Sequence, residues 1–159
     1  MVIATEAMIR RVVADVPDPE IPVVTIADLG ILQRVDVRDD GGVVVTITPT
    51  YSGCPAMDAI RSEIVARLED AGVTDIDVRT VLSPPWTTDW ISAEGRRKLR
   101  EFGIAPPAAA AGKLLQLSAC CPRCRSFDVR EVSRFGSTAC KALYACNACQ
   151  EPFDYFKPL

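Results

Sequence analysis

Cys121-Pro122-Arg123-Cys124 and Cys146-Asn147-Ala148-Cys149 decide the architecture of the C-terminal part of this chain. Two C-x2-C knuckles with 21 residues between them put four thiolates within reach of one tetrahedral ion. An all-sulfur set is soft and selects zinc or iron. The gap lies just above the usual window for paired knuckles, and a hairpin excursion absorbs the extra residue. Four merely buried or disulfide-bonded cysteines would not need this double spacing. Cys121, Cys124, Cys146 and Cys149 are therefore expected to hold one ion, with zinc as a structural cofactor. Short strands around Leu115, Val129, Leu143 and Phe153 would flank the knuckles and make residues 120–159 a zinc ribbon. So short a segment cannot bury enough surface to fold unaided, and the metal would supply most of its stability.

Immediately upstream, Ala105-Pro106-Pro107-Ala108-Ala109-Ala110-Ala111-Gly112 is uncharged and low in complexity, and reads as part of a linker over 105–119. The remaining N-terminal residues carry helix and strand patterns in alternation. Thr5 caps a first helix with Met8, Ile9, Val12 and Val13 on one face, and the prolines from Pro17 to Pro22 stop it. Ile31 to Arg38 alternates apolar with charged residues, Asp39-Asp40-Gly41-Gly42 is a turn, and Val43, Val45 and Ile47 alternate again, which predicts a β-hairpin. A second helix follows over Pro55–Ala71, with Met57, Ile60, Ile64 and Leu68 on one face and Gly72 at its end. Ile76 to Leu82 is a third strand and Ser92 to Phe102 a basic helix. The expected fold class is α+β: a small α-β-β-α-β-α domain over 1–104 with a mainly antiparallel sheet, followed by the ribbon.

Composition narrows the function. The sequence has 159 residues, is 48% hydrophobic and contains no histidine. The last point removes every Ser-His-Asp or Cys-His pair and every imidazole ligand. No apolar run approaches the roughly 18 residues that span a bilayer, and Met1 to Glu6 lack the basic stretch and long apolar run expected of a signal peptide. Seven cysteines, four of them committed to metal, fit a reducing cytoplasm. Residues 1–119 carry 12 Lys/Arg against 17 Asp/Glu, a net of −5, and residues 120–159 carry 6 against 4, a net of +2. That is a weak footprint for nucleic acid.

Pro49-Thr50-Tyr51-Ser52-Gly53-Cys54-Pro55 is the second chemical focus. Cys54 is expected at the N-cap of the second helix, where free amides and the helix dipole stabilise a thiolate. The bland reading is a small cysteine filling a turn. Asp18-Pro19-Glu20 places two carboxylates on a stiff turn, either as hard ligands beside Cys54 or as a solvated turn whose aspartate caps the following backbone. Trp86 and Trp90, in and beside a proline-rich loop, either pack on the domain or anchor an interface. Cys120 is excluded from the metal set because neighbours in sequence rarely point at one ion. Cys140 is read as a packed thiol, with a spare ligand as the alternative.

Asp18-Pro19-Glu20-Ile21-Pro22, Asp28-Leu29-Gly30-Ile31 and the Cys54 motif together resemble the SufT-like family of iron–sulfur assembly proteins. Pro84-Pro85-Trp86-Thr87-Thr88-Asp89-Trp90-Ile91, Glu94-Gly95-Arg96-Arg97-Lys98-Leu99 and Phe135-Gly136-Ser137-Thr138-Ala139-Cys140-Lys141, with the knuckles, resemble the PaaD-like family. Its members are accessory subunits of the phenylacetyl-CoA epoxidase (phenylacetate-CoA oxygenase) system. The resemblance implies a non-catalytic component of a multicomponent oxygenase, assisting iron or iron–sulfur centre maturation in aerobic phenylacetate catabolism. It implies Cys54, Asp18 and Glu20 as cofactor-binding residues for a transient iron or iron–sulfur cluster. The implied partners are the oxygenase and reductase components, with no membrane and with homo-oligomerisation left open. A nucleic-acid-binding ribbon protein is the competing reading, with Arg123, Arg125, Arg130 and Arg134 as its only candidate contacts.

Overall fold

The computed structural model describes residues 5–107 and 119–158. The chain falls into two compact units, 1–86 and 87–159. In the first, helix α1 (Glu6–Ala14) begins where Thr5 Oγ1 accepts the amide of Met8 at 3.3 Å. It buries Ile9 and Val13, the i, i+4 pair that the apolar spacing requires. Strands β1 (Leu32–Val37) and β2 (Val43–Ile47) form the antiparallel hairpin across the Asp39–Gly42 turn. Helix α2 (Ala56–Asp70) buries Ala56, Ile60, Ile64 and Leu68, and Gly72 turns the chain out with φ +88.

Strand β3 (Ile76–Thr80) pairs with β2 in parallel, giving the sheet order β1-β2-β3. The direction follows from connectivity, since a strand reached through a helical crossover returns pointing the same way. β2 is therefore the central strand, and Val43, Val45 and Ile47 on its inner face are fully buried. Arg61 ties α2 to β3, donating to the carbonyl of Val78 and, at 2.9 Å, to Thr80 Oγ1.

The second unit opens with a single 3-10 turn at Thr88–Trp90 and helix α3 (Ala93–Glu101), capped by Ser92 Oγ on the Gly95 amide at 2.9 Å. Strand β4 (Ile104–Ala105) pairs with β7 (Pro152–Phe156) in a four-stranded sheet ordered β4-β7-β6-β5, with β5 at Val129–Ser133 and β6 at Lys141–Cys146. Sequence analysis runs the first domain to residue 104. By packing, α3 and β4 go with the second unit, because β4 bonds β7 and α3 lies against β4. The strand expected around Leu115, and most of the expected linker, lie outside the described residues. The buried centre of this unit joins Ala105, Ala119, Phe153 and Tyr155 to Cys121 and Cys146.

Candidate metal centre and cysteine site

The ribbon brings its four cysteines together. Cys121 and Cys124 come from the turn before β5, Cys146 from the end of β6 and Cys149 from the turn that follows it. All four sulfurs lie within 4.8 Å of one another, with Cys121 to Cys149 at 3.7 Å and Cys124 to Cys146 at 3.5 Å. A tetrahedral ion at 2.3 Å from each sulfur sets them about 3.8 Å apart. The residues fit a metal ion.

Backbone geometry supports the fit. Arg125 and Gln150, each one residue past its knuckle, adopt φ 61 and φ 64. This left-handed step turns the following amides back over the sulfurs. Cys146 is held down at about 7, first by the N–H of Cys149. For Cys124, the Ser126 amide pulls down, but its hydrogen bond with Cys146 and its desolvation prevail, pushing the thiol up to about 12. Metal binding must therefore displace protons, as thiolate sites require.

The other two ribbon cysteines stand apart. Cys120 directs its thiol to the carbonyl of Arg125 at 3.3 Å. Cys140 is buried, 3.0 Å from Thr138 Oγ1, and precedes β6. A strand rises about 3.3 Å per residue, so six residues put it roughly 20 Å from Cys146. It packs and cannot serve as a spare ligand.

Cys54 lies in the first unit, in the loop between β2 and α2. Gly53, with φ +83, makes the turn that presents it. The helix starts one residue later than expected: Pro55 is the N-cap and offers no side-chain bond. The expected thiolate is also corrected. Burial pushes the Cys54 thiol up, and the negative charges of Glu20 and then Asp18 push the same way; the amide of Ala56 and the hydroxyl of Thr50 oppose them without prevailing. Desolvation and like charge thus outweigh the helix end. Thr50 stands in the quoted motif, but its contact with the thiol was not anticipated.

The acidic turn divides its work. Asp18 is buried, and its Oδ1 accepts the amides of Glu20 at 2.9 Å and Ile21 at 2.8 Å. That carboxylate shapes the turn, as the capping reading expects, while Glu20 is half-buried. Trp86 is buried, with Nε1 donating to the Leu29 carbonyl at 2.8 Å, which is the packing alternative.

These contacts predict how Cys54 reacts. Its alkylation by iodoacetamide, followed peptide by peptide in a mass spectrometer, should be slow near neutrality and rise with a midpoint above that of an ordinary thiol. Glu20→Gln removes the larger of the two opposing charges, so the midpoint falls and the neutral rate rises several-fold. An unchanged profile would show that Glu20 does not act on the thiol.

Comparison with known proteins follows this division. Residues 6–82 match the model of the iron–sulfur cluster assembly protein family, and residues 105–157 match the PaaD zinc beta ribbon domain. Over 150 residues, 94% of this chain and 90% of its relative, the sequence is 48% identical to an Escherichia coli (strain K12) protein described as a 1,2-phenylacetyl-CoA epoxidase subunit. An Fe-S protein maturation auxiliary factor from Porphyromonas gingivalis is 40% identical over 96 residues, 60% of this chain and 90% of that one. A crystal structure of a domain of unknown function, DUF59, from Bacillus anthracis superposes with a TM-score of 0.55 at 30% identity, covering 59% of this chain and 90% of that one. No helix among the described residues is long and apolar enough to cross a membrane.

Proposed function

The chain belongs to the PaaD family of phenylacetyl-CoA epoxidase subunits, and from that premise we propose that it is a non-catalytic accessory subunit that helps mature an iron or iron–sulfur centre of the epoxidase system. The observation that carries the reading is the electrostatics around Cys54. A thiol whose proton is retained partly by two carboxylates sits where a cation would be welcome, because metal binding replaces the proton and reverses the sign of the local interaction. Cys54 would supply the soft sulfur and Glu20 a hard oxygen. Asp18 would hold the turn that aims Glu20 and add its charge.

The iron or cluster is cargo here, passing through to the oxygenase or the reductase component. The ribbon is a different kind of site. Its four ligands are all supplied by the chain, which is the closed set of a structural ion, and zinc is the metal that such a set holds without redox chemistry. No disulfide joins any of the seven cysteines, in keeping with a cytoplasmic protein.

The test is to express the oxygenase and reductase components in cells with and without this chain and to measure iron in each after purification. Iron in one component is expected to fall several-fold without the chain, with its polypeptide yield unchanged. Equal loading in both backgrounds would overturn the maturation role.

A further inference from the structure

The two units carry opposite charge. The first has 7 Lys/Arg against 14 Asp/Glu, a net of −7, and the second has 11 against 7, a net of +4. Half of that excess lies on β5 and its flanks. Arg125, Arg130 and Arg134 are exposed and make no ion pair among the described residues. Large apolar side chains are exposed along the same segment: Phe127 is 66% exposed, Val132 49% and Phe135 68%. A small domain seldom leaves aromatic rings in water beside unpaired guanidinium groups, and interfaces are enriched in both.

Beside Arg134 and Phe135 lies a cavity of about 360 Å³, lined by Glu131, Arg134, Phe135, Ala142, Tyr144 and Lys157. Its polar walls are held in place. Lys157 Nζ lies 4.6 Å from the centre of the Phe135 ring and donates to the Arg134 carbonyl at 3.0 Å. Tyr144 donates to Glu131 at 3.3 Å. Lys157 keeps two further N–H donors and Arg134 all five of its own. β5 is the edge of its sheet, but a bulge between Glu131 and Ser133 breaks its ladder. That disfavours the addition of a partner strand and leaves side-chain docking.

We propose that this face of the ribbon docks a partner protein through an apolar side chain that enters the Phe135 cavity, flanked by carboxylates that meet Arg134 and Lys157. An acidic protein surface fits better than a polyanion, because the exposed Phe135 ring offers an apolar contact beside the cations and the net charge of the whole chain is −3. The proposal rests on the accessory-subunit reading, which makes an epoxidase component the partner to try.

Binding of the full chain to purified oxygenase and reductase components, measured by surface plasmon resonance, tests it. The wild type is expected to bind one component with an affinity that falls as salt rises. Phe135→Ala and Arg134→Glu should each weaken binding by about tenfold or more, as anchor residues do. Arg134→Lys should recover part of the loss. Metal content and circular dichroism of each variant report that the ribbon is folded.

Binding within about twofold of wild type for both Phe135→Ala and Arg134→Glu would overturn the docking face and leave the maturation reading untouched. Failure of the wild type to bind either component would also overturn it, while the iron measurement judges the maturation role separately. Self-association abolished by the same substitutions would assign the face to a second copy, and retention of single-stranded DNA lost in Arg134→Glu would assign it to nucleic acid. Either result overturns the proposal.

Discussion

Cys121→Ser is expected to release the ribbon ion and unfold the second unit while the first stays folded. Cys121 is fully buried and packs with Cys146, Phe153 and Tyr155, so its sulfur serves both the metal and the core. Serine supplies a hard, protonated oxygen where the site needs a soft thiolate. A structural zinc contributes about 10–16 kcal/mol in comparable modules, and whole domains are stable by only about 5–15 kcal/mol. Losing one ligand of four is enough to tip so small a unit. The measurements are metal content, expected to fall from one ion per chain to near none, and limited proteolysis, expected to leave the N-terminal unit and degrade the rest. Cys140→Ser is the control and should keep the ion. One ion per chain and unchanged protease resistance in Cys121→Ser would show that the four sulfurs do not form the site.

Cys54→Ser is expected to abolish support of phenylacetyl-CoA epoxidation with the fold and the ribbon ion intact. Cys54 belongs to the first unit and none of the four ribbon ligands does, so the ribbon should stay loaded. Pro55 occupies the N-cap of α2, so the helix start does not depend on the cysteine side chain. Serine is close in size to cysteine and still accepts a hydrogen bond from the Ala56 amide, but it gives iron no sulfur. The test is oxygenase activity in cells carrying the variant, together with the iron content of the purified oxygenase and reductase. Full activity with normal iron would reduce Cys54 to a packing residue, and the chain would then serve by docking alone.

The elements of the first unit were legible because each carries its own local mark. Thr5 is a side-chain cap, Gly72 is a left-handed end, and the β1–β2 alternation faces a turn rich in Asp and Gly. Strand direction was not legible. The alternation in Ile76–Thr80 reads the same whether β3 runs with β2 or against it, and only the α2 crossover decides. β4 could not be read at all, because Ile104-Ala105 acquires its extended form from pairing with β7 and lies beside an alanine- and proline-rich run. The four knuckle cysteines were readable from spacing, since metal geometry is nearly a function of spacing. The state of the Cys54 thiol was not legible because burial, the largest influence on it, and the charges of Glu20 and Asp18 both come from the fold, whereas the helix end is adjacent in sequence. A local reading counts the helix end and cannot weigh the rest.

The parallel pairing of β2 and β3 has an evolutionary consequence. The loop from Thr48 to Cys54 leaves the carboxyl end of the central strand and enters the crossover helix. In open sheets with crossover connections that end is where ligands gather, because loops there can change without disturbing strand register. Thr48 fixes the loop's root through its amide N–H, which donates to the Ile31 carbonyl at 2.8 Å, and beyond it Ser52 and Gly53 are exposed. Insertions at Ser52–Gly53 should therefore be tolerated by the fold.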